Sequence, residues 1–327
     1  MNQNYQFDAL SRNDPPPSFW LLSHDGGGDT QRAMEAWIAP DYGSNLCRFS
    51  VGGRNVIDFK HKLLLEHDYT GTPVLYPTPN RVRNGVFCWQ DQSYRQIKRG
   101  TQIVEHGLVH SEKWTPGEPV VAEDSASLQT WIEFRKGDPL FEAFPFPHRL
   151  TLDFRLTAQG ISITYTIENQ GSEEIPFGFG LHPYFIKLSG DEGTFVTLPA
   201  NAVMETTPDL LPTGKLLNVK GTAFDLNAAK AIGDLDLDHV FTGIPSESHA
   251  RIEYPDLGIT VSLEATADFT HAVLYSPRGE EFFCLENQTC STDAHNLFDR
   301  GFKRESGLKT VGHGEQHRGR VDYSITF

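Results

Sequence analysis

Strict alternation of apolar and polar residues is the feature that most limits what this chain can become. In H-R-L-T-L-D-F-R-L (148–156), Leu150, Leu152, Phe154 and Leu156 share one face of a strand, and Thr151, Asp153 and Arg155 the other. After the turn T-A-Q-G the pattern resumes in I-S-I-T-Y-T-I, with Ile161, Ile163, Tyr165 and Ile167 in phase. A helix cannot segregate residues on a period of two, whereas a pleated strand does so automatically. Two such runs around a short glycine-containing turn predict an antiparallel hairpin with one face buried and one wet. Comparable runs occur at 46–59, 127–134, 250–265, 271–275 and 323–327. The chain's 29 glycines and 20 prolines are spread along it rather than pooled in a linker, so turns recur throughout. Only D-L-N-A-A-K-A-I (225–232) suggests a helix, of about two turns. There is no internal repeat and no low-complexity block. The pattern predicts an all-β protein: a single large antiparallel β-sandwich spanning residues 1–327, with the first ~30 residues peripheral to it. Such a fold offers a broad sheet face on which side chains can line a cleft.

Charge narrows the class of partner. The sequence holds 28 basic and 43 acidic side chains, a formal net charge of −15. That field repels polyanions, which disfavours nucleic acid and anionic membrane surfaces and leaves small neutral ligands unaffected. No stretch approaches the ~18–20 consecutive apolar residues of a membrane span. The opening M-N-Q-N-Y-Q-F-D-A-L has neither the basic nor the apolar region of a secretory leader. Cys47, Cys88, Cys284 and Cys290 form no C-x-x-C, which argues against both a metal site and a disulfide framework. A reducing cytoplasm is the expected location; monomer and homodimer both stay open.

Five stretches place titratable groups among turns or apolar residues. In P-T-P-N-R-V-R-N-G-V-F (77–87), Asn84-Gly85 signals a type I′ hairpin turn. Arg81 and Arg83, two apart, would face the same way on a strand, as donor forks for hydroxyls or anions or as solvated edge charges. In E-H-G-L-V-H-S-E-K-W (105–114), His106 before a glycine suggests a ring presented to a cavity from a tight backbone. His110 reads as surface there, and Trp114 as either a stacking platform or a core residue. In F-G-F-G-L-H-P-Y-F (177–185), Gly178 and Gly180 permit close backbone approach, and Pro183 keeps His182 out of the helical region. His182 then stands rigidly beside Tyr184 and Phe185, either as an acid or base or as a satisfied core histidine. In G-D-L-D-L-D-H-V-F (233–241), Asp234, Asp236 and Asp238 alternate with leucines, giving one acidic strand face; the offsets of a calcium loop are missing. In F-F-C-L-E-N-Q-T (282–289), Glu286 follows four apolar residues, where a carboxylate acquires a perturbed pKa suited to a base, or merely ends a strand. Phosphate-loop, nucleophile-elbow and zinc-protease motifs are absent from the sequence.

Taken in order, N-R-V-R-N-G-V-F (80–87), H-G-L (106–108) with Trp114 downstream, L-H-P-Y-F (181–185), L-D-H-V-F (237–241) and C-L-E-N-Q-T (284–289) resemble the aldose 1-epimerase family, the galactose mutarotase-like proteins. The resemblance spans most of the chain and implies a large antiparallel β-sandwich. It also implies a cofactor-independent isomerase that interconverts the anomers of a sugar. By the same resemblance Glu286 is the general base, His182 the general acid and His106 a second histidine holding the substrate. Arg81, Asp238, Tyr184 and Asn80 then contact the sugar. The sequence departs from relatives at Leu181 and Pro183, which flank the second histidine, and at Asn287, where many carry proline; these leave the acid and base in place and the sugar's identity open. Two alternatives stand beside this. The sugar could be phosphorylated or otherwise anionic, with Arg83, Lys60 or Lys62 as the extra cation. Or the chain could bind a sugar without turning it over.

Overall fold

A computed structural model of the chain describes residues 4–11, 18–245 and 248–327. Among these, the strands gather into two large antiparallel sheets of 13 and 10 strands, with three small two-stranded ribbons. The hairpin read from alternation is the spine of the smaller sheet. Strands His148–Thr157 and Gly160–Asn169 pair from His148↔Asn169 to Thr157↔Gly160, a two-residue turn. Leu150, Leu152, Phe154, Leu156, Ile161, Ile163, Tyr165 and Ile167 are all buried, and Arg155 is exposed. Flanking strands Ala126–Phe134 and Gln316–Thr326 continue the sheet on either side. The inward faces of the two sheets meet in one apolar core. Phe185 of the larger sheet packs edge-on against Tyr323 of the smaller, their ring centroids 5.7 Å apart.

Other expected runs fall where the pattern put them. Residues 46–59 form strands Asn45–Val51 and Arg54–Ile57, joined through Gly52 and Gly53, both at positive φ. Residues 250–265 form the paired strands Ala250–Tyr254 and Ile259–Ala265. Within the first ~30 residues, Tyr5–Ser11 and Ser18–His24 pair as the outermost hairpin of the larger sheet, and Leu22 is fully buried.

Two local expectations fail. Residues 225–232 form no helix. The Asp225 carboxylate accepts hydrogen bonds from the Gly221 amide at 2.9 Å and from the Asn227 side chain at 3.0 Å, and these local bonds compete with a helical backbone. Leu226 is the apolar anchor of this loop, and its carbonyl is taken by the Leu198 amide at 2.8 Å. At Asn84-Gly85 the backbone does make the expected turn, with both residues at positive φ, but it joins no paired strands. The hairpin follows it instead: Val86–Trp89 pairs with Gln92–Arg95 through Gln90 and Asp91, also at positive φ.

Candidate active site

The larger sheet has one face in the core and one turned away from it. Strand Phe282–Gln288 shows how the chain divides its chemistry between them. Phe283 and Leu285 pack into the core, while Glu286 and Gln288 stand on the opposite face. There, loops roof a cleft of about 260 Å³.

His182 reaches this cleft through the geometry of its own segment. Gly180 pairs with Gln288 and Tyr184 with Cys284 in one continuous register, which sets His182 opposite Glu286. Pro183 interrupts the hydrogen bonding between those two points. On the other side, the amides of His182 and Tyr184 donate to the carbonyls of Pro73 and Gly71 at 3.0 and 2.8 Å. The two glycines are there for proximity. A Cβ at Gly178 would sit 2.7 Å from Pro79 Cδ and collide with Cys290 Sγ, and one at Gly180 would sit 3.0 Å from Gln288 Cγ. Two tyrosine rings lie nearly parallel to the imidazole, Tyr184 at 5.1 Å and Tyr69 at 6.4 Å. Its Nε2 faces Glu286 Oε1 at 3.4 Å.

His106 comes from the loop opposite. It holds φ at +57°, its amide donates to Asn80 O at 2.7 Å, and its ring meets His182 edge-on at 5.3 Å. Gly107 at φ +73° lets that loop press against Tyr76, where a Cβ would collide with the Tyr76 carbonyl. At the mouth, Arg81 donates to Glu105 at 3.0 Å, and Asp238 begins strand Asp238–Thr242. All seven residues singled out as site candidates, Asn80, Arg81, His106, His182, Tyr184, Asp238 and Glu286, line this one cleft.

The neighbouring candidates do not join them. Arg83 turns away from Arg81 and sits 3.7 Å from Asp293, because the turn at Asn84 replaces the strand that would have aligned the two arginines. Trp114 is fully buried, with Nε1 donating to Val109 O at 3.3 Å, so it is a core residue and no platform for a ligand. His110 is half-buried and packs against Tyr69 at 4.9 Å. Asp234 lies in a 3-10 turn and Asp236 pairs with Arg278 at 3.2 Å, so the three aspartates share no strand face. Among the described residues no group of three or more His, Cys, Asp and Glu is placed to share a metal ion. Lys60 and Lys62 pair with Glu280 and Glu66 at 3.9 Å, away from the cleft.

Comparison with known proteins is decisive at this point. Residues 30–324 match the family model described as aldose 1-epimerase. The chain belongs to the aldose 1-epimerase family. The uncharacterized protein YihR of Escherichia coli K12 is 28% identical over 249 residues, 75% of this chain and 76% of that protein. Galactose mutarotase of Sus scrofa is 28% identical over 177 residues, 52% of this chain and 48% of the relative. A solved galactose mutarotase-like protein from Clostridium acetobutylicum superposes with a TM-score of 0.85 at 22% identity, covering 99% of both chains, and shares the fold.

Electrostatics within this family member's cleft are dominated by burial. Burial pushes the His182 imidazole down to about 4 and carries His106 well below an ordinary histidine. It pushes the Glu286 carboxyl well above the usual carboxylate range, against the pull of a hydrogen bond donated by Gln288. Asp238 is also raised, by desolvation first, with the Arg81 guanidinium opposing. A dry cleft therefore resists net charge, and the His182–Glu286 pair is easiest to accommodate with one proton between them.

Three cleft residues, Tyr69, Glu105 and Tyr275, escaped the sequence reading, as did Gln288, which bonds to Glu286. Gln288 was within reach, since it lies two residues beyond Glu286 on a strand and so faces the same way. Nothing in D-Y-T-G-T-P distinguished Tyr69, whose position depends on a loop crossing from another part of the fold. No helix among the described residues is long and apolar enough to cross a membrane.

Proposed function

We propose that the chain is an aldose 1-epimerase that interconverts the α and β anomers of a neutral monosaccharide. The anomers differ at a hemiacetal carbon. Their exchange removes the proton from the C1 hydroxyl, breaks the C1–O5 bond as O5 is protonated, rotates C1–C2, and recloses the ring on the other carbonyl face. No atom is gained or lost, so one base and one acid suffice. Glu286 takes the hydroxyl proton and His182 delivers one to the ring oxygen, with His106 on the same side of the substrate. Arg81 and Asp238 hold peripheral hydroxyls, and the nearly parallel rings of Tyr69 and Tyr184 help hold the His182 ring in plane. The observation that carries this reading is the 3.4 Å approach of His182 Nε2 to Glu286 Oε1 inside a ligand-sized cleft.

The cleft's size supports a single sugar ring, since about 260 Å³ lies at the low end of ligand pockets, roughly 300–1,000 Å³. Its charge supports a neutral one. Arg81 is already matched by Glu105, and the cations considered for a phosphate, Arg83, Lys60 and Lys62, lie elsewhere.

The test is the rate of anomer exchange by magnetization-transfer NMR or polarimetry, over glucose, galactose, xylose, arabinose and glucose 6-phosphate. His182→Ala and Glu286→Gln should each cost about 10²–10⁴-fold. A chain that binds a sugar without accelerating its exchange would replace this proposal with a sugar-binding role.

A further inference from the structure

Glu286 does not stand alone on its strand. One of its oxygens, Oε1, faces His182; the other, Oε2, accepts a hydrogen bond from Gln288 Nε2 at 2.8 Å. Gln288 is completely buried, and the rest of its amide is committed to Asn80. Gln288 Nε2 donates to Asn80 Oδ1 at 3.0 Å, and Asn80 Nδ2 donates back to Gln288 Oε1 at 2.8 Å. This reciprocal pair fixes which end of the Gln288 amide meets the carboxylate. With both amides reversed, Gln288 Oε1 would confront Glu286 Oε2, two acceptors that repel while the carboxyl is ionised. Asn80 is itself tied down: it holds φ at +57° and its carbonyl receives the His106 amide.

We infer that Asn80 and Gln288 form a positioning clamp that orients the Glu286 carboxylate and favours its ionised form as the base of the proposed reaction. The inference rests on that reading of Glu286. It reassigns Asn80: with both ends of its amide occupied, it acts through Gln288 rather than on the sugar. The clamp answers a conflict in the site. A base must be ionised to accept a proton, yet the surroundings of Glu286 oppose ionisation. On the segment paired to one side of its strand stand His182 and Tyr184, and from strands on the other side Asp238 and Tyr275. Cys284 precedes Glu286 on its own strand, and Tyr323 lies on the core side. Of these, only His182 can carry positive charge, and burial opposes that charge. Arg81 is drawn to Glu105. The amide of Gln288 is the donor that reaches Oε2, and a hydrogen bond to a charged acceptor is the strong kind.

The experiment compares wild type with Gln288→Leu, Asn80→Ala and the double variant. It measures kcat and KM for anomer exchange and titrates the Glu286 carboxyl by NMR of ¹³C-labelled glutamate, its signal assigned with Glu286→Gln. Removing the donor in Gln288→Leu should lower kcat about 10- to 100-fold and leave KM within about twofold. The carboxyl midpoint should move alkaline by about one pH unit or more. Asn80→Ala should shift both readouts the same way by less, and adding it to Gln288→Leu should cost nothing further. A role confined to holding the fold together would lower stability without moving the midpoint. An unmoved midpoint, or a loss residing in KM, would overturn the clamp. Should Gln288→Leu not fold, Asn80→Ala carries the same decision. If wild type accelerates no sugar, the epimerase reading falls, and the carboxyl titration still decides the clamp.

Discussion

An acid and a base 3.4 Å apart, both buried, titrate as one unit. Holding one proton, the His182–Glu286 pair is neutral overall; a second proton leaves it cationic, and none leaves it anionic. Both charged states are costly in a dry cleft, so burial widens the range over which one proton stays. The acid edge of that range is set by His182, at about 4, and the alkaline edge by Glu286, held well above the usual carboxylate range. Activity that depends on the singly protonated pair should be flat through neutrality. On the acid side kcat/KM should fall near pH 4 rather than near the ~6.5 of a free imidazole. A limb centred near pH 6.5, measured on a non-ionising aldose, would mean that the ring is solvated and that Tyr69 and Tyr184 do not shield it. At this scale the sequence marked the ionisable groups well, because His182 and Glu286 announce themselves by chemical type. It could not show their protonation, which depends on exclusion of water by residues more than a hundred positions away.

Elements turn these residues into a site. Gly178 lies just before the short strand Gly180–Leu181, and the space a side chain would need is filled by Cys290 and Pro79. Pro79 precedes Asn80 and Arg81 directly, so pressure at Gly178 should displace the loop that holds both. Gly178→Ala should therefore cost about 1–3 kcal/mol in urea denaturation, with a drop in kcat/KM. Cys290→Ala in the same chain should recover part of both losses, since it removes the sulfur the new methyl meets. Full additivity of the two substitutions would sink the argument. Alternation made the hairpin of residues 148–169 legible down to its buried face, because each strand solves the same two-sided problem along its length. The wrong expectations have local causes. At 225–232, side-chain bonds of Asp225 captured the backbone. At Asn84-Gly85 the turn was correctly read, but which strands pair across it is a long-range fact. Arg83 fell out of the cleft with that turn, and Trp114 into the core, since a large aromatic is as suited to one setting as the other.

Across the whole molecule, several histidines are held neutral by burial. His110, His148, His182, His271 and His295 are each held near 4 by burial, and His106 is carried well below an ordinary histidine. His148 shows how: Nδ1 meets Phe146 O at 2.6 Å, Nε2 meets the Tyr76 hydroxyl at 2.7 Å, and the ring stacks on Phe134 at 4.1 Å. The unfolded chain protonates these rings near pH 6.5, and the folded chain does not until about 4. Between those values the unfolded state binds more protons, so stability is complete above about 6.5 and is lost as pH falls. Each ring contributes a slope of up to roughly 1.4 kcal/mol per pH unit within that window. Glu286 works the other way, because its raised carboxyl takes up a proton in the folded state first. Relief of the net charge of −15 on acidification also opposes the loss. The histidines outnumber these opposing effects, so the urea midpoint should fall steadily from pH 7 to pH 5. His148→Phe isolates one ring from the background. It should lower stability at pH 7, where it leaves the Tyr76 hydroxyl without its partner, yet flatten the pH dependence by about one proton's worth of slope. If that variant kept the wild-type slope, His148 would be taking up its proton in the folded and unfolded states alike, and the acid sensitivity of the fold would have to come from the other buried histidines or from carboxylates.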